Sequence, residues 1–132
     1  MPNFISSNEL FDRILDITRA DKESPKNKML HETLVLACSQ GLTSNNLAFG
    51  NLFSQVDFLC KKHHVATNDA IAIQRMRRNS NHAQAIDKSD LMYDCRALAI
   101  FISAVFDTDI PSSLVGLLPV EDKPQQEYRH ID

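Results

Sequence analysis

Apolar residues return along this chain every three or four positions, the pattern of helices that turn one face to a core. The first such segment opens at "SSNE", where Ser6 can cap the helix and Glu9 can reach back toward it. Phe11, Ile14, Leu15 and Thr18 then share a face, and the segment ends near Ala20–Asp21, before the polar "DKESPKNK". Pro25 disfavours helix at Ser24. A second helix is predicted from about Asn27 to Gln40, with Met29, Leu30, Thr33, Leu34 and Ala37 inward and Gly41 closing it. The third covers roughly Leu47 to His64, with Leu52, Phe53, Val56, Leu59 and Cys60 in register and a cationic last turn suited to the helix dipole. A fourth follows Thr67 and carries "AIAIQRMRRN"; a fifth, the most apolar, runs from about Lys88 to Phe106. A short sixth follows Ile110, with Pro111 in its first turn.

Strand-like alternation is nowhere sustained, so the expected fold is an all-α bundle of five to six helices over residues 1–119. Its core should hold Phe11, Ile14, Leu15, Leu30, Leu34, Phe53, Val56, Leu59, Leu98, Ile102 and Val105. From 120 to 132, "VEDKPQQEYRHID" has little to bury and reads as an extended or disordered tail leading into further domains of a longer protein.

Composition narrows the function classes. At 132 residues the chain can bury a core without disulfides or metal. Cys38, Cys60 and Cys95 are odd in number and lie in apolar helical settings, as free thiols of a reducing compartment do. With no secretory leader at "MPNFISSNEL", and "ALAIFISAVF" about half as long as a bilayer span, the expectation is a cytoplasmic protein without membrane contact. The net charge of −3 is unevenly spread: Lys61 to His82 carries a local +4, leaving −7 elsewhere. The three glycines are isolated and no Gly-Lys-Ser/Thr or G-x-S-x-G occurs, so this region binds no nucleotide by a P-loop, uses no nucleophile elbow and calls for no cofactor.

Candidate chemistry gathers at "RMRRNSNH", residues 75 to 82. Arg75, Arg78 and His82 fall at i, i+3, i+7, and Arg75, Arg77 and Arg78 with Lys61 and Lys62 could grip successive phosphates. A solvated face or pairing with acidic helices is the plainer explanation, since no aromatic residue is interleaved to stack on bases. Arg77 and His82 also fit the R-x4-H spacing of HEPN ribonuclease-like domains, where His would act as general acid or base and Arg would support the charged phosphorane. The expectation is nevertheless that there is no nuclease activity, with Arg77 facing solvent or an acidic neighbour and His82 in the linker before the fifth helix. Cys60, His63 and His64 are the candidate zinc ligands, but they are three where four are needed and Cys60 also fits the core stripe.

Three stretches together, "ILDITRADKESPKNKMLHETLVLAC", "FGNLFSQVDFLCKKHH" and "DCRALAIFISAVFDTDIP", resemble the N-terminal helical region of large bacterial proteins that carry a superfamily 1 DNA helicase-like ATPase further along. The resemblance covers most of the chain. It implies an accessory module of a nucleic-acid enzyme, with ATP binding in downstream domains and DNA or those domains as partners. From the residues alone, a structural or self-associating bundle, including a homodimer, is an equally open alternative.

Overall fold

The Ser6 hydroxyl accepts the Glu9 N–H at 3.1 Å, and the first helix, α1 (Ser7–Arg19), begins there as its sequence implies. The computed structural model describes residues 5–19, 26–43, 50–81 and 88–122. Five more helices follow: α2 (Lys26–Thr43), α3 (Leu52–Lys62), α4 (Thr67–Ser80), α5 (Lys88–Phe106) and the single-turn α6 (Ser112–Val115). Among the described residues there is no strand, and the fold is an all-α bundle.

The bundle is organised around α5, which packs against α1, α2, α3 and α4. Burial nearly all round that helix explains why it is the most apolar: Leu91, Cys95, Ala97, Leu98, Ala99, Phe101, Ile102 and Val105 all lie inside. Leu10, Phe11, Ile14 and Ile17 of α1 meet it, as do Leu30, Leu34 and Ala37 of α2, Val56 and Leu59 of α3, and Ile73 and Met76 of α4. No described helix is long and apolar enough to cross a membrane.

Two expectations about the core are corrected. Phe53 is 50% exposed, and Leu15 packs against the rim of the core without being engulfed. Boundaries shift as well. Helix α3 starts at Leu52, because Asn51 adopts an extended backbone and its side chain accepts the Ser54 N–H at 2.8 Å. Of the expected earlier start, residues 47–49 lie outside the described residues. Gly41 does not close α2. It sits buried within the helix, where an added Cβ would stand 2.9 Å from Val105 Cγ1 and 3.3 Å from both Leu59 methyl carbons. Glycine is there so that α3 and α5 can approach the α2 backbone.

Helices α3 and α5 end alike. His64 and Asp107 take left-handed conformations, φ 57° and 51°. The next residues' N–H groups reach back to Cys60 O at 2.9 Å and Ser103 O at 3.1 Å, closing Schellman turns. Such a φ is strained for any residue with a Cβ, so His64→Gly and Asp107→Gly should each stabilise the fold by about 0.5–1 kcal/mol. A higher urea midpoint with unchanged m-value is the expected reading; a lower midpoint in both variants would contradict it.

After α6, the chain folds back over α4 and α5. The Arg96 guanidinium donates to the Val120 carbonyl at 3.3 Å, and Arg75 holds Asp122 through two bonds of 2.9 and 3.4 Å. Residues 120–122, assigned by sequence to a loose tail, are thus tied to the bundle. Residues 123–132 lie outside the described residues.

Candidate functional site

Arg75 and Arg78, one turn apart on α4, face different neighbours. The Arg75 and Asp122 side chains are only 20% and 17% exposed, and the pair is bidentate. Burial works against the Arg75 charge, but the hydrogen bonds and charge of Asp122, helped by Asp94 and Asp90, more than offset it and hold the guanidinium protonated beyond its usual range. Arg75 is therefore engaged within the molecule. Arg78 is exposed and lines a groove between α3 and α4.

Arg77, expected from the sequence to face solvent or an acid, is partly exposed and rests on an aromatic ring of the neighbouring helix. Its guanidinium lies over the Phe53 ring, 5.4 Å from the centroid, within cation–π range. Its Nε donates to Gln74 Oε1 at 2.6 Å, while Gln74 Nε2 donates to the Phe53 carbonyl at 3.2 Å. Gln74 thereby joins α4 to α3 and seats Arg77 on the ring. Burial, then the neighbouring Arg78, lowers the Arg77 pKa. The sequence reading found no aromatic partner for the basic cluster because Phe53 comes from another helix and was assigned to the core. His82, the other member of the R-x4-H pair, lies outside the described residues, so nothing here brings Arg77 and His82 together.

The groove encloses about 530 Å³. Cys60, Val65 and Ala70 contribute apolar lining, and Phe53 and Ile71 line it while remaining 50% and 47% exposed. Lys61, His64 and Arg78 add basic side chains to the same groove. Lys61 pairs with Asp57, also in the groove, at 3.0 Å, but its side chain is 77% exposed and the pair is weak. Lys62 is exposed at the helix end beside it.

The candidate zinc ligands fare differently from one another. Cys60 and His64 line the groove together, whereas His63 caps α3. Burial, followed by the charges of Asp57 and Asp69, pushes the Cys60 thiol up to about 11, away from the thiolate that zinc binds. His63 is pushed down by burial, then by Lys62 and His64, with Asp107 opposing. Among the described residues, no three His, Cys, Asp or Glu side chains are grouped to hold a metal ion.

Compared with known proteins, the chain matches no family model, no curated protein and no solved structure. The resemblance to helicase-like proteins rests on the three sequence stretches alone.

Proposed function

We infer that this chain is a non-catalytic docking module, accessory to a larger helicase-like nucleic-acid enzyme, and that it engages an anionic partner on the α3–α4 side. One observation carries the docking reading: exposed Phe53 and Ile71 border a single groove with Lys61 and Arg78, on a chain whose overall charge is −3. The link to a nucleic-acid enzyme comes from the sequence resemblance. The basic set that serves this role is Lys61, Lys62, Arg77 and Arg78; Arg75 serves the fold by holding Asp122.

The test is a titration of the full chain with two labelled anions, a thymidine oligonucleotide and a glutamate-rich helical peptide, at low and physiological salt. At least one should bind, with affinity falling as salt rises. The Lys61→Ala/Arg77→Ala/Arg78→Ala variant should lose most of that binding. Arg75→Ala should instead lower thermal stability and leave binding in place. Absence of binding to either anion at low salt would remove the reading.

A further inference from the structure

We propose that the α3–α4 groove receives an acidic amphipathic helix, seated by apolar anchors on Phe53 and Ile71 and by carboxylates on Lys61 and Arg78. The proposal rests on the docking reading above and names the partner of that site.

Both walls of the groove are α-helices, whose backbone groups are spent on their own turns. An extended peptide laid there would leave its N–H and C=O groups against Cys60, Val65 and Ala70 without partners, a substantial cost. A helix brings its backbone already satisfied, so only its side chains need matching. Those must be apolar where Phe53 and Ile71 stand half exposed, two large hydrophobic side chains bordering one concavity. They must be acidic beside Arg78, which is exposed and has no ion-pair partner among the described residues, and beside Lys61.

Charge complementarity favours this occupant further. The groove lining sets Lys61 and Arg78 against Asp57 alone, an excess of positive charge on a chain that as a whole carries −3. A nucleic-acid strand fits the groove less well. One face of its one phenyl ring is already covered by Arg77, and Asp57 places a carboxylate among the lining groups, where a strand would bring a phosphate at every nucleotide. A helix can space its carboxylates to avoid Asp57. Its length follows from α4, whose 14 residues span about 21 Å at the helical rise of about 1.5 Å per residue. About three to four turns, with anchors at i, i+4 and i+7, would fill that span.

The experiment uses the full chain and three probes: a helical peptide with Leu on one face and Glu on the other, its Lys-for-Glu counterpart, and a thymidine oligonucleotide. The Leu/Glu peptide should bind with a micromolar-range Kd, and chemical shifts should move at α3 and α4 residues. Ile71→Asp should weaken it by roughly tenfold, the scale expected for losing one aliphatic anchor and adding a like charge. Because Ile71 is half exposed, the variant should keep its fold and unfolding midpoint. Arg78→Glu should weaken the Leu/Glu peptide and strengthen the Lys peptide. Equal binding of the two peptides, or unchanged binding by Ile71→Asp, would overturn the proposal. So would an oligonucleotide that binds more tightly than the Leu/Glu peptide and is displaced by Ile71→Asp. If the basic triple variant loses an anion while Ile71→Asp does not, docking stands and the helix falls.

Discussion

Leu98→Ala and Ile102→Ala should each lower stability by about 2–5 kcal/mol, read as a fall in the urea midpoint at constant m-value. Both side chains are fully buried on α5, the helix that touches α1, α2, α3 and α4. Truncation there removes the transfer energy of the deleted carbons and leaves a cavity that four neighbouring helices cannot all move to fill. Two comparisons give the measurement its edge. Leu15→Ala, on a side chain only partly buried, should cost distinctly less. Phe53→Ala should also fall well below the core values, because half of that ring already faces solvent. A domain of this kind is stable by only about 5–15 kcal/mol, so either α5 variant would remove a substantial share. Costs below those of Leu15→Ala would mean that α5 is not the centre of the packing.

The centrality of α5 was legible in the sequence because it follows from period and composition, which are local. "LMYDCRALAIFISAVF" is too apolar to have a solvated face, and its helix is bounded at Lys88 and Phe106 as the pattern implies. The Ser6 cap was legible for the same reason, with donor and acceptor three residues apart. What the sequence concealed depends on residues far apart along the chain. Gly41 looks like a helix terminator by composition. Only the approach of Val105, more than sixty residues later in the numbering, reveals it as a packing position. Phe53 follows the apolar repeat of its helix, so nothing local distinguishes it from the core residues Val56 and Leu59. Its exposure is decided by the line along which α3 meets α4.

The candidate site divides along the same line. That Arg75, Arg77 and Arg78 form a cluster is written in eight consecutive residues. Which of them is free to meet a partner is not. Asp122 lies 47 positions from Arg75, and the Phe53 carbonyl 21 positions from Gln74. Counting charges gave a basic surface of three arginines, whereas their partners leave one exposed beside the groove, one on an aromatic ring and one bound to an acid. Apolar periodicity could place α3 and α4 as helices, but not foresee that the rim between them would combine exposed hydrophobics with cations.

Stability should fall steeply as pH rises from about 9 toward 12, and the three thiols should account for much of the fall. Burial, aided by Cys60, pushes Cys38 from 9.0 up to about 12. Burial also takes Cys95 to about 12, with Asp94 adding to the shift and Lys26 opposing it. Cys60, less deeply placed and beside Asp57 and Asp69, reaches about 11. Below pH ~9 the thiols are protonated in both folded and unfolded chains, and their contribution is fully present. Above it, the unfolded chain releases its thiol protons while the folded chain keeps them, so each further pH unit favours unfolding. The loss is about 1.4 kcal/mol per thiol per unit until the folded pKa is reached, most of it from the more deeply buried Cys38 and Cys95. The informative comparison is with a Cys38→Ala/Cys95→Ala variant. That variant should start less stable at neutral pH, having lost two buried sulfurs, yet show a clearly flatter decline between about pH 9 and 11. The native protein should also react slowly with a thiol-exchange reagent at neutral pH and rapidly once unfolded in urea, because only the thiolate attacks. A decline equally steep in the variant would clear the thiols of responsibility and assign alkaline unfolding to other groups.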